Sequence, residues 1–117
     1  MNTKMSKYLH EMVIASEIKR MLGGKIPEAK FSLELWTEED EKIDATLILK
    51  KIPGRVCATL MAEDGSGVGR TFQLTDTSAL YALWSPLFDW LGHKLKAYNW
   101  FFVESPEYAN RPIPVML

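Results

Sequence analysis

The strongest hydrophobic periodicity in the chain lies in TDTSALYALWSPLFDWLGHKLKAY. Leu80, Leu83, Trp84, Leu87, Phe88, Leu91 and Leu95 recur at i, i+3, i+4, i+7 spacing, the wide apolar stripe of a helix docked on a core. Asp76 or Thr77 can cap its start. Pro86 falls inside the stripe, where it removes a hydrogen bond and crowds the preceding turn. Ser85 offers a resolution, because it can cap a second helix with Pro86 at its first position. The pattern therefore predicts a kink or a break at Ser85.

A second helix is expected near the start. Residues 3–22 contain neither proline nor glycine, and Gly23-Gly24 follow as a helix stop. Met5, Tyr8, Leu9 and Met12 share one helical face, and Ile14, Ile18 and Met21 lie on nearly the opposite one. Two offset stripes predict that the helix is wrapped by its own domain, or sandwiched between its own sheet and a partner subunit.

Between the helices the period changes from helical to two-residue alternation. Phe31, Leu33 and Leu35 alternate with polar neighbours, and the acidic loop TEEDEK leads to the β-branched run 43–49. Residues 55–62 and 68–74 alternate in the same way. Ile52-Pro53-Gly54-Arg55 has the proline and glycine placement of a type II turn. Links this short predict an antiparallel four-stranded meander. YNWFFV, residues 98–103, is aromatic on both faces and reads as a well-covered strand. SPEYANRPIPVML carries three prolines, which predicts an extended tail, and it finishes in the apolar run Ile113 to Leu117. The fold class is α+β in a single domain. It comprises an N-terminal helix (1–24), an antiparallel sheet (30–74), a kinked helix packed on that sheet (76–97), a short strand (98–104) and a proline-rich tail (105–117).

The alternation also predicts faces. If Leu33, Leu35, Leu47, Leu49, Val56 and Leu60 meet the helices, the other face carries Trp36, Ile48, Cys57 and Met61 among Thr46, Thr59 and Thr71. A sheet face turned to water is ordinarily more polar. That surplus predicts a surface covered by the tail, a second copy or a partner protein. A one-residue slip in register would exchange the two faces.

Composition narrows the picture. A length of 117 residues fits one domain, able to bury roughly two thirds of its unfolded surface. With 47% hydrophobic and 25% charged residues it is expected to be ordered. A net charge of −1 gives no overall attraction to nucleic acid or to an anionic membrane. The single cysteine, Cys57, suits a reducing compartment. It reads as a small hydrophobe, unless it meets His93 in space as a nucleophile–base pair. No apolar stretch reaches the roughly 18 residues of a membrane span. Glu11 and Glu17 interrupt the N-terminal segment, which lacks a signal-peptide core. A cytoplasmic location and no membrane are expected.

Candidate chemistry is sparse. AEDGSGVGRTF sets Gly65, Gly67 and Gly69 at alternate positions before Arg70. A P-loop needs four residues between its glycines and then Gly-Lys-Ser/Thr, and a dinucleotide fingerprint needs a following helix. Neither is present, so the stretch predicts a hairpin tip begun by Asp64-Gly65, with Gly67 or Gly69 marking a bulge. Glu38, Glu39, Asp40 and Glu41 are consecutive rather than alternate, unlike calcium ligands. His10 and His93 lack the neighbours of a zinc site. No metal and no cofactor are expected. The order α-β-β-β-α also occurs in double-stranded-RNA-binding domains, which place basic residues at the start of the last helix. Here Thr75-Asp76-Thr77-Ser78 occupies that position.

Three functions fit these residues. The first is a non-catalytic module acting through protein–protein contacts, of adaptor or inhibitor type. It would self-associate, most simply as a homodimer, with Trp36, Ile48, Met61, Ile113, Val115 and Leu117 as contact residues. The second is a small-molecule site or cryptic enzyme pocket lined by Trp84, Trp90, Tyr98 and Trp100. The third is single-stranded nucleic-acid binding, with Trp36 stacking and Lys50, Lys51 and Arg55 on phosphates.

Overall fold

The computed structural model describes residues 7–74 and 79–103. Expectations that fall on other residues, including the Asp76 or Thr77 cap and the proline-rich tail with Ile113, Val115 and Leu117, lie outside the described residues. The architecture is α+β. Helix α1 (Lys7–Leu22) precedes strands β1 (Glu28–Trp36), β2 (Lys42–Ile52), β3 (Arg55–Ala62) and β4 (Gly67–Gln73). Helix α2 (Ala79–Lys94) and strand β5 (Asn99–Val103) follow. The strands form one antiparallel sheet in the order β4-β3-β2-β1-β5. Four strands thus form the expected meander. The fifth, reached through α2, extends the far edge beside β1, a placement that its aromatic pattern does not specify.

One face of the sheet is apolar apart from Lys51 and Arg70 near its margins. Ala29, Phe31, Leu33 and Leu35 of β1 align with Ala45, Leu47 and Leu49 of β2, and with Val56, Ala58 and Leu60 of β3. Phe72 and Phe102 extend this layer onto the two edge strands. Ile14, Ile18 and Met21 of α1 and Leu83, Leu87, Trp90, Leu91 and Leu95 of α2 close over it in a single core. All six residues assigned to the helix side by alternation are buried there. Of the other α1 stripe, Met12 is half-buried, and the side chains of Met5, Tyr8 and Leu9 lie outside the described set. Glu17, only 5% exposed, interrupts the buried face of α1 and meets the Arg20 guanidinium at 3.4 Å.

α1 ends as its glycines predict. Lys25 N–H donates to the Arg20 carbonyl at 2.9 Å and Gly24 N–H to Met21 at 3.1 Å, with Gly24 at φ 77. This is a Schellman cap, which a left-handed glycine makes without steric cost. Lys51 Nζ adds a bond to the Leu22 carbonyl at 3.4 Å, a cation at the negative end of the helix.

Of the kink or break expected at Ser85, α2 shows no break. It is continuous from Ala79 to Lys94 with Pro86 inside it, so no second helix starts at Ser85. The reason lies in the packing. Ser85 and Pro86 are exposed, whereas Leu83, Leu87, Trp90 and Leu91 are buried. Pro86 therefore sits on the solvent side of the helix, where a lost backbone bond costs least, and core contacts hold the helix across the proline.

The two faces of β2 are separated by single-residue steps. Leu47→Ala, at 0% exposure, is expected to cost about 2–5 kcal/mol in chemical denaturation. Ile48→Ala, one residue along on the opposite face, is expected to cost about 1 kcal/mol or less. Equal losses would refute the face assignment.

Candidate functional site

Both helices lie on one side, so no described element covers the opposite sheet face. Its side chains follow from register. Lys30, Ile48, Thr59 and Gly69 form one cross-strand row, and Ser32, Thr46, Met61 and Gly67 the next, extended by Val103 on β5. Glu28, Lys50, Cys57 and Thr71 form the row on the other side of Ile48. Cys57 and Met61 are therefore both diagonal neighbours of Ile48, within side-chain reach. Ile48 and Cys57 are half-buried, and Met61 is 41% exposed. Together they draw an apolar line across β2 and β3, flanked by threonines.

The predicted contact residues are not all contiguous. Trp36 shares this face but sits at the far end of β1 opposite Lys42 and Asn99, about 20 Å along the strand direction from Ile48. Its indole N–H donates to Glu34 at 3.1 Å. Phe101 and Val103, both half-buried, occupy the same face on β5. Sequence reasoning missed them because only the β1–β5 register shows which of the aromatic positions turn outward.

The basic group divides between the two faces. Lys50 and Arg55 lie on the open face, while Lys51 turns to the helix side and caps α1. Trp36 lies at the end of the sheet remote from Lys50 and Arg55, so stacking and phosphate contacts would sit far apart. The four aromatic pocket residues are also distributed. Trp90 is 5% exposed and packs edge-on against Phe72 at 5.9 Å. Trp84 stacks on Phe88 at 4.7 Å, and Phe88 and Trp100 both meet Phe102, at 6.2 and 5.8 Å. Tyr98 packs partly buried against the core.

Cys57 and His93 do not meet. Val56 is buried beneath the helices, so Cys57, one residue on, points to the open face, where its Sγ lies 3.8 Å from Thr71 Oγ1. His93 is exposed at the end of α2, on the other side of the sheet. Among the described residues no group of three or more His, Cys, Asp or Glu side chains is placed to hold a metal ion. Among them, too, no helix is long and apolar enough to cross a membrane.

The glycine stretch forms the β3–β4 hairpin. Gly65 takes φ 90, and its N–H donates to the Ala62 carbonyl at 3.0 Å. Asp64 Oδ1 accepts from the Ser66 hydroxyl at 2.6 Å and from the Ser66 N–H at 2.8 Å, an Asx-type turn. The expected bulge is absent, since β3 and β4 pair without interruption from Arg55↔Gln73 to Met61↔Gly67. Gly67 and Gly69 instead make room. A Cβ on Gly67 would come within 3.2 Å of the Leu60 carbonyl and of the Met61 side chain, and one on Gly69 within 3.3 Å of the Ala58 carbonyl.

The Ser66 hydroxyl, then its N–H, hold the Asp64 carboxyl below its ordinary value. A lowered folded pKa means that these bonds favour the hairpin above the ordinary carboxylate range and are lost as pH falls through the folded value. Ser66→Ala is expected to raise the Asp64 pKa toward that of a free aspartate, as followed by carboxyl chemical shifts in an NMR titration. An unchanged titration would refute the assignment.

Comparison with protein-family models, with curated proteins and with solved structures yields no match, so geometry alone carries the functional reading.

Proposed function

We propose that this domain is a non-catalytic binding module of adaptor or inhibitor type, acting through protein–protein contacts on its open sheet face and self-associating. The supporting observation is the one-sided helix layer. It leaves Ile48, Cys57 and Met61 as a contiguous apolar line on a face that, in a sheet simply turned to water, would be polar. Methionine suits such a surface, because its flexible thioether adapts to a partner's shape. Threonines on either side supply hydrogen-bonding rims without charge to desolvate. Trp36 lies at the margin of the contact, and the apolar residues Ile113, Val115 and Leu117 supply further contacts. A reducing cytoplasm suits the free thiol of Cys57.

The test uses the full chain as bait in extract of its own host. Met61→Glu and Ile48→Asp place a charge on the apolar line while leaving the core intact. Each is expected to reduce capture of a wild-type partner by about tenfold or more, the scale of a central interface residue. The melting temperature is expected to shift by only a few degrees. Capture that survives both substitutions would refute the open face as the binding surface.

A further inference from the structure

β4 is an edge strand, and its backbone polarity follows from two flanking bonds. Ala62 N–H donates to Ser66 at 2.8 Å and Leu74 N–H to Gly54 at 3.0 Å. Antiparallel alternation between these bonds directs Val68, Arg70 and Phe72 toward β3. Gly67, Gly69, Thr71 and Gln73 then turn their N–H and C=O groups outward, where no described strand pairs with them. Edge strands are commonly guarded by proline, bulges or several charges. β4 has no proline, no bulge and a single charge, Arg70.

Resting on the self-association in the function proposed above, we infer that β4 pairs antiparallel with β4 of a second copy, centred on Thr71. Outward residues must meet outward residues, which limits the registers. Centring on Arg70 would set two guanidiniums directly opposite, a repulsive pair. Centring on Gly69 would oppose two bare glycines and leave Phe72 and Gln73 beyond the paired region. Centring on Phe72 would oppose two rings that already pack against Trp90 at 5.9 Å. The Thr71 register instead places threonine opposite threonine, Val68 opposite Leu74, and Arg70 opposite Phe72. Within one chain Arg70 already lies 5.5 Å over the Phe72 ring, so this aromatic face accommodates a guanidinium. Side chains on one face of such a pair stay on one face. The two five-stranded sheets therefore join edge to edge, with their open faces forming one continuous surface.

Sedimentation or light scattering of the full chain across concentration tests this directly, and a monomer–dimer equilibrium is expected. Thr71→Pro deletes an N–H that points to the copy rather than to β3, and it is expected to raise the dimer dissociation constant about tenfold or more. Glu38→Gln, exposed on the β1–β2 loop, is expected to leave that constant unchanged. In a Cys57→Ser background, Thr71→Cys is expected to cross-link into a covalent dimer on oxidation, because opposed Cα atoms in a hydrogen-bonded pair lie at disulfide spacing. Gln73→Cys in the same background, opposite Gly69 in this register, is expected not to cross-link. This pair keeps the test decisive if the proline variant does not fold.

A dimer dissolved by Met61→Glu but not by Thr71→Pro overturns the inference, as does absence of the Thr71→Cys cross-link. A chain that stays monomeric while Met61-dependent partner capture persists overturns the edge dimer alone. Partner capture lost in Thr71→Pro by a monomeric chain also overturns it, assigning the edge to a strand of another protein.

Discussion

The reach of α2 across the sheet is the constraint on which the rest depends. The strand order places β4 and β5 at opposite edges, and α2 is the only described element between them in sequence. Trp90 packs on Phe72 of β4, and Phe88 packs on Phe102 of β5. One helix thereby holds both edges to a common core. Interrupting it at Pro86 would separate these two anchors, and burial of Leu83, Leu87 and Leu91 opposes that separation.

One-sided coverage has consequences for everything outside the core. With α1 and α2 on the same face, strand alternation leaves every second residue without a helix above it. Ile48 and Cys57 are half-buried there, and Met61 is left exposed beside Gly67, which has no side chain to shield it. The same arrangement separates Cys57 from His93 by the thickness of the sheet, which removes their pairing as a nucleophile and base. Lys51 is drawn to the helix side by its position beside Val56 and caps α1, leaving Lys50 and Arg55 on the open face.

Much of the architecture was legible because its signals are local. Two-residue alternation in β1 to β3 assigned Leu33, Leu35, Leu47, Leu49, Val56 and Leu60 to the buried side. Gly24 and the Pro53-Gly54 turn have conformational preferences that neighbours need not supply. Glu17 was not legible as a buried residue, since a carboxylate at helical spacing reads as surface until Arg20 is seen beside it. Gly67 and Gly69 suggested a bulge, but they answer a close approach of β3, which no single strand records. The outward turn of Phe101 and Val103 depends on β5 pairing with β1, a contact between residues distant in sequence.

The sequence by itself determined the fold class, the helix and strand segments and the division of β1 to β3 into two faces. Each of these follows from periodicity and turn chemistry within a few residues. Tertiary structure decided where β5 joins the sheet, that α2 runs unbroken through Pro86, and which candidate residues share a surface. Those outcomes depend on packing and register between distant segments, and local pattern carries no term for either. Ile48 and Met61 were brought together while Trp36 was left at the far end of the same face, because strand register sets lateral neighbours and position along the strand sets distance.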